Sequence, residues 1–446
     1  MKMFRSEEII EVIEMLHYLN LDIRAITLSI EVPPSEDFPT KSADLVETWG
    51  SRLVTTIKEV SEKHGIPIVT SRLALSPLQH IISKADYDKF LEFVKEVDKA
   101  AKRSEIDAVG GFGMFANSGI TEDVTTFIEV IPEALSTTDR VFGFLNVGST
   151  WDGLNVEGIF KVSESLLELA RKSNAQGNAK FLVSVNLPGD VPFMPGAHHG
   201  LGRPKIEINV AVSGPGVVEA AIRRTKNSSF RELHEVIKKV SFKISRLGEF
   251  TGREVAKRLG VNFGSVDLSL APTPKMGDSV AKVVEAMGVP SFGAPGTLAA
   301  LTLLIDALKK GGAMAVSKFG GFSGLFIPLS EDSGMLEAAE RGTVDLYKLV
   351  SYTAICSAGL DMVPIPFVSP ETLASITADQ LSIGIIHNKP MGVRLLPVPG
   401  SKPGDVIDLG GLLGRGVVLP IEDLVPNPFI RMEGHMPPPL LRLHMG

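Results

Sequence analysis

The chain has 446 residues, 44% apolar and 22% charged, proportions that exclude wholesale disorder. Its 45 Lys and Arg against 52 Asp and Glu leave a formal charge of -7, the wrong sign for a general binder of nucleic acid or anionic membrane. The single cysteine, Cys356, excludes an intramolecular disulfide and a cysteine-rich zinc site, and suits a cytoplasmic protein.

Ser6, ahead of Glu7, Glu8 and the apolar Ile9, Ile10, Ile13 and Leu16, predicts a capped amphipathic helix without the apolar core of a secretion signal. No apolar run reaches the roughly 18–20 residues of a membrane span. Residues 23–30 read as a strand. Helical periodicity near 40–63, 85–103, 121–135, 156–173, 216–224 and 230–246 then alternates with apolar runs at 66–75, 107–112, 140–148, 180–186 and 206–214. The second half continues with strand-like runs at 264–272, 313–320, 360–366 and 393–399. Helices are expected near 277–288, 296–310, 333–355 and 371–388. About ten strands interleaved with helices describe an α/β protein with a largely parallel sheet. With no clear linker, residues 1–424 are expected to form one large domain. Residues 425–446 are expected to form a proline-interrupted tail packed on that domain or on a neighbouring subunit. A short echo, GGFGMF at 110–115 and GGFSGLF at 320–326, hints at related halves.

Glycines cluster where the strand-like runs end. The turn Ser213-Gly214-Pro215-Gly216, between a strand and a helix, offers free backbone N–H groups to an anion, or is simply a tight turn. No dinucleotide fingerprint, Walker A motif or nucleophile elbow is present. His198 and His199 lie in a Pro- and Gly-rich loop suited to an acid/base or a metal ligand. Asp267, Asp278, Glu331, Asp332 and Asp361 supply carboxylates for a divalent cation such as Mg²⁺, Mn²⁺ or Ca²⁺; a helix cap or turn residue is the commoner role for any single Asp, and Asp278 fits capping well. Cys356 is either a nucleophile or a small buried hydrophobe. Arg24, Arg72 and Arg394, in or beside strands, are anchors for a carboxylate or phosphate, or members of internal ion pairs.

Several strings, among them LDIRAITLSI, PFMPGAHHGLG, VSGPGVVEAAI, VDLSLAPTPKMGDSVAKVVEAMGV, GGFSGLFIPLSEDSGM, CSAGLDMVPIP and NKPMGVRLLPVPGSKPGDVIDLGGLLG, resemble one family from about Leu21 to Leu413. This is the uncharacterised prokaryotic family known as domain of unknown function 711. The resemblance implies a ten-stranded β/α barrel similar to pyruvate formate-lyase and other glycyl-radical enzymes. Those enzymes carry a radical-glycine motif near the C-terminus, which neither VRLLPVPG (393–400) nor IRMEG (430–434) matches, so radical chemistry is not expected. His198 stands where relatives tend to carry an aromatic residue, which favours His199. Family members are described beside a small ACT-domain protein, which implies a regulatory partner and amino-acid metabolism.

The expected function is therefore an enzyme acting on a small anionic metabolite. Arg24, Arg72, Arg394 and the Ser213–Gly216 turn would anchor it. His199 would act as general acid/base, helped by Cys356 and Asp361, and Asp267, Asp278, Glu331 and Asp332 would hold a cation. The competing expectation is a non-catalytic sensor using the same pocket. A homodimer is expected in either case.

Overall fold

The computed structural model describes residues 13–19, 21–225, 229–321, 325–356 and 358–440. Its centre is a nine-stranded mixed sheet. In chain order the strands are β1 (Ala25–Ile30), β2 (Ser71–Leu75), β3 (Ala108–Phe115), β4 (Val141–Asn146), β5 (Phe181–Val185), β6 (Ile206–Ala211), β7 (Asn262–Asp267), β8 (Gly359–Pro366) and β9 (Met391–Val398). In space they run β8-β9-β5-β4-β3-β2-β1-β6-β7. β1 to β5 form one parallel block. β6 lies antiparallel to β1 and carries β7 parallel to itself; β9 lies antiparallel to β5 and carries β8 in the same way. Two shorter blocks of opposite direction thus flank the central one, and β1 and β5 are buried throughout, as strands covered on both faces must be.

Besides a single helical turn at Leu78–Ile81, eleven longer helices among the described residues accompany the sheet: α1 (Phe38–His64), α2 (Tyr87–Arg103), α3 (Glu122–Ser136), α4 (Val156–Ser173), α5 (Pro215–Arg224), α6 (Phe230–Leu259), α7 (Val280–Ala286), α8 (Thr297–Ala315), α9 (Ser333–Glu340), α10 (Leu346–Thr353) and α11 (Pro370–His387). Side chains of Asp86, Thr121, Asn155, Ser229 and Ser369 accept from free N–H groups at the starts of α2, α3, α4, α6 and α11. α2 packs between α1 and α3, and α3 against α4. The fully buried Phe90, Phe93, Phe112, Phe127 and Phe181 fill that layer, each contributing about 1.5–3 kcal/mol by leaving water.

Three elements differ from expectation. α6 runs on to Leu259, past Gly248 and Gly252, which lie where the helix presses on Val212 and Val210 and a Cβ would collide. The helix expected over 333–355 divides at Gly342 (φ +70°), and Asp345 caps the second half. The strand expected at 313–320 is partly helix: α8 continues to Ala315, its Gly312 seated on Leu268. Beyond it the chain bonds both free edges of the sheet. Val266 N–H donates to the Lys318 carbonyl (3.1 Å), Gly320 N–H to Val266 (3.2 Å) and Leu329 N–H to Asp361 of β8 (3.1 Å).

Of the N-terminal helix, residues 13–17 are helical, while Ser6 and its neighbours lie outside the described residues, as do Phe322, Ser323 and Gly324 of the glycine echo. The described part of the tail, residues 425–440, touches the α/β body. His435–Met436 pairs with Gly153–Asn155, and Arg431 pairs with Glu371 of α11 and covers the Phe160 ring. No helix among the described residues is long and apolar enough to cross a membrane.

Candidate active site

At the N-terminal ends of β1 to β4 and the C-terminal ends of β6 and β7, side chains from most of the strands enclose a cavity of about 300 Å³. Arg24, just before β1, Arg72 on β2, and Arg394 on β9 all line it, together with Asp267, Glu331 and Asp361. Arg394 donates through Nε to Asp361 Oδ1 at 2.6 Å, through Nη2 to Glu331 Oε1 at 3.2 Å, and through Nη1 to the Ala179 carbonyl at 3.2 Å. Arg24 Nη2 donates to the other oxygen of Glu331, also at 3.2 Å, so one carboxylate bridges two guanidinium groups. Asp361 reaches inward because β8 carries a bulge: its register shifts between Leu360 and Val363, and Met362 holds φ at +51°.

The cations outnumber the carboxylates that directly pair with them. Arg24 Nη1 is buried and has no hydrogen-bond partner. Arg72 donates through Nε to Thr70 Oγ1 at 3.0 Å and forms no salt bridge among the described residues. Burial pushes Arg72 down to about 10, with Arg24 and Arg394 adding to the effect, so it stays charged at neutral pH. Burial pushes Glu331 above the usual carboxylate range despite Arg394 and Arg24 beside it. Burial alone would lower Arg394, but Asp361 and Glu331 hold it above its ordinary value. A buried guanidinium without an anion is costly, and this arrangement is suited to receive one.

The other residues expected at the site are placed elsewhere or used structurally. The Ser213–Gly216 turn starts α5, with Gly214 at φ +146°, but its acceptor is internal: Gly216 N–H donates to Asp278 Oδ1 at 3.4 Å. A Cβ on Gly216 would strike the Gly277 carbonyl, so no room is left for a ligand at that point. Asp332 is wholly buried and serves as a double cap, accepting from Val280 N–H (2.7 Å), Gly334 N–H (2.9 Å) and the Ser279 hydroxyl (2.5 Å). Asp267 accepts from the backbone and hydroxyl of Ser269. The metal set expected from Asp267, Asp278, Glu331 and Asp332 is therefore not assembled among the described residues. Cys356 is buried beside a different cavity with Lys389, and burial pushes its thiol up. Lys389 itself is engaged with the carbonyls of Thr353, Ala354 and Cys356 beyond α10.

His199 also stands apart from the arginine cavity. Residues 187–203 form a loop that inserts between the strands. Its Phe193 rests on Ala25 and Ala211 and lines the cavity together with Met194. The Ala197 carbonyl presses so closely on Gly110 of β3 that no Cβ fits there. His198 is packed between Phe144 and Phe115 with both ring nitrogens on backbone carbonyls, and burial pushes it down. His199 N–H bonds Leu75 at the far end of β2, and its ring joins Asp190 and Glu207 in the described cluster that could hold a metal ion. Neither acid is marked by a ligand motif. The alternation Ile206-Glu207-Ile208-Asn209 is the available signal: it sends Glu207 and Asn209 to one face together, and both are fully buried while Ile206 is half-buried. Thr70 and Asp107, which line the cavity and carried no motif, were likewise not anticipated.

The fold and site define an α/β protein whose opposed strand blocks share an arginine-lined cavity. The chain belongs to the family described as Uncharacterised ACR (DUF711), whose model matches residues 14–410. A UPF0210 protein of Pyrobaculum arsenaticum is 48% identical over 99% of this chain and all of its own, and one from Methanocaldococcus jannaschii 45% identical over the same shares. Among solved structures, the chain is similar to the anaerobic ribonucleotide reductase from Thermotoga maritima with dATP bound in the specificity site. That similarity has a TM-score of 0.47 and 7% identity, over 84% of this chain and 76% of that one. At that identity none of the reductase's chemistry transfers.

Proposed function

We propose that this protein is an enzyme that binds a small carboxylate or phosphate in the arginine cavity and moves a proton on it. The observation that carries the reading is the pair of uncompensated cationic groups, Arg72 and Arg24 Nη1, facing one enclosed space. They hold the anion. Glu331, made more basic by burial and placed on the cavity wall, accepts or returns the proton, and Asp361 fixes Arg394 behind it. A cavity of about 300 Å³ suits a metabolite at the small end of the usual range. The divalent cation expected from sequence is assigned to the separate cluster around His199, and His199 and Cys356 take no part in this step.

The reading includes closure of the nine strands, with the bridging residues Phe319 and Leu325 beyond α8 marking a tenth, into a ten-stranded barrel. In a flat sheet β1 and β9 would stand five strands, about 24 Å, apart, yet Glu331 touches arginines at both. The bonds from 318–329 to β7 and β8 support the same closure.

A second reading, a metabolite sensor, is favoured by a specific observation: no imidazole or thiol lies among the described lining residues. Such a sensor would act with a regulatory partner of the ACT-domain kind. Calorimetric titration with inorganic phosphate and with short dicarboxylates tests the shared core. Wild type should bind at least one of them, and Arg72→Gln should weaken it tenfold or more. Equal binding by Arg72→Gln, or none by wild type, overturns both readings. Turnover abolished by Glu331→Gln with binding retained selects the enzyme.

A further inference from the structure

The far end of the strands carries a site distinct from the arginine cavity, and its residues have no role in the function proposed above. One oxygen each from Asp190 and Glu207 and a ring nitrogen of His199 lie within 4.8 Å of one another. His199 and Glu207 are 1% and 0% exposed. The proton positions follow from the partners. His199 Nε2 lies 2.9 Å from the Pro204 carbonyl, an acceptor only, so Nε2 carries the hydrogen and a neutral ring turns its Nδ1 lone pair the other way. Nδ1 has no hydrogen-bond partner and stands 3.4 Å from Asp190 Oδ1. Glu207 Oε2 is likewise buried and unpartnered.

Lone pairs from two anions and an imidazole therefore converge, with the Gly200 N–H on Asp190 Oδ1 the one hydrogen-bond donor to the facing atoms among the described residues, an arrangement that repels itself unless a positive charge lies between. The supporting groups are already in place. Arg203 takes the other oxygen of Glu207 at 2.5 Å and approaches Asp190 Oδ2 at 3.5 Å, and Gly200 N–H donates to Asp190 at 3.3 Å. A ligating imidazole whose second nitrogen donates to a backbone carbonyl is the usual orientation device of metal sites. We propose that Asp190, His199 and Glu207 bind one divalent transition-metal ion. Two carboxylates with one imidazole favour Mn²⁺, Fe²⁺ or Zn²⁺ over Ca²⁺ or Mg²⁺, which prefer all-oxygen shells. The ion fastens the two ends of the inserted loop, at Asp190 and His199, to the start of β6 at Glu207. That loop supplies Phe193 and Met194 to the arginine cavity, so the ion braces one cavity wall from behind.

The test is metal uptake by the full chain after chelator treatment, using Co²⁺, Mn²⁺ and Zn²⁺ as probes. One equivalent of Co²⁺ per chain should bind with a visible d–d absorption, and Zn²⁺ or Mn²⁺ should raise the unfolding temperature. His199→Ala should lose that affinity at least a hundredfold. Glu207→Gln, which keeps the shape and an oxygen for Arg203, should lose it at least tenfold with an unchanged circular dichroism spectrum. Absence of uptake by wild type, or equal uptake by both variants, overturns the site. So does an imidazole nitrogen NMR signature showing His199 doubly protonated at neutral pH and unmoved by metal, since the ring would then simply be an ion-pair partner of Asp190.

Discussion

Replacing Asp278 by Asn should make the protein's stability less dependent on pH, and the size of the effect follows from where the carboxyl sits. Asp278 is fully buried at the start of α5. Its Oδ1 takes a long 3.4 Å bond from Gly216, and the Thr273 hydroxyl is its one other polar support. Burial raises its pKa from 3.8 to about 7; the Asp22 carboxyl adds to the rise, while Thr273, Gly216 and Arg24 oppose it. Between those two values the native chain holds a proton that the unfolded chain has released, so stability falls as pH rises. The stabilisation is complete below pH ~4 and lost once the pH passes about 7, amounting to about 4 kcal/mol in total. Roughly 2.5 kcal/mol of that falls between pH 5 and pH 8. An Asn side chain copies the protonated acid in shape and cannot ionise. Denaturant unfolding of wild type and Asp278→Asn at both pH values isolates the term, because other titrating groups cancel in the difference. The variant should gain about 2.5 kcal/mol on wild type in going from pH 5 to pH 8. A wild-type-minus-variant difference that is the same at both would refute the linkage argument.

Other outcomes follow from the packing. Gly110→Ala places a methyl against the Ala197 carbonyl and should lower stability by about 1–3 kcal/mol in chemical denaturation, since the inserted loop must shift. Asp332→Ala leaves the N–H groups of Val280, Gly334 and Met335 buried without their acceptor, and should lower the melting temperature by the equivalent of about 3–5 kcal/mol. Arg394→Met strips Asp361 and Glu331 of their shared cation. It should raise the apparent pKa of any activity the cavity supports, read from a pH–rate profile.

Alternation of helix and strand was legible because it rests on local physics. Nine of the expected strands stand in the sheet, since runs such as residues 141–145 and 181–185 are apolar enough to be buried whatever their neighbours. The errors lie where tertiary contact overrides the local pattern. Gly248 and Gly252 look like breakers in α6, and they are instead the positions that let a helix approach a strand without a Cβ between them. The end of α8 misled for the same reason: Gly311 and Gly312 resemble a loop, but Leu268 and the backbone of Lys238 occupy the space a side chain would need.

The site divides along a similar line. Arg24, Arg72 and Arg394 could be picked out singly, because a charge in an apolar strand demands an explanation, and the cavity supplies one for all three. What no spacing encodes is which acid meets which base. Glu331 and Asp332 are neighbours in sequence, yet one bridges two arginines on the cavity wall and the other caps two helices inside the core. Asp361 reaches Arg394 only because a bulge at Met362 reorients it. His199 stands out by its loop, but its partners come from nine positions upstream, at Asp190 in the same loop, and from the buried face of β6 at Glu207. Glu207 is the telling case. An acid alternating with isoleucines in a buried strand cannot face solvent, so it must meet a cation, and Arg203 takes one of its oxygens while leaving the other turned toward His199.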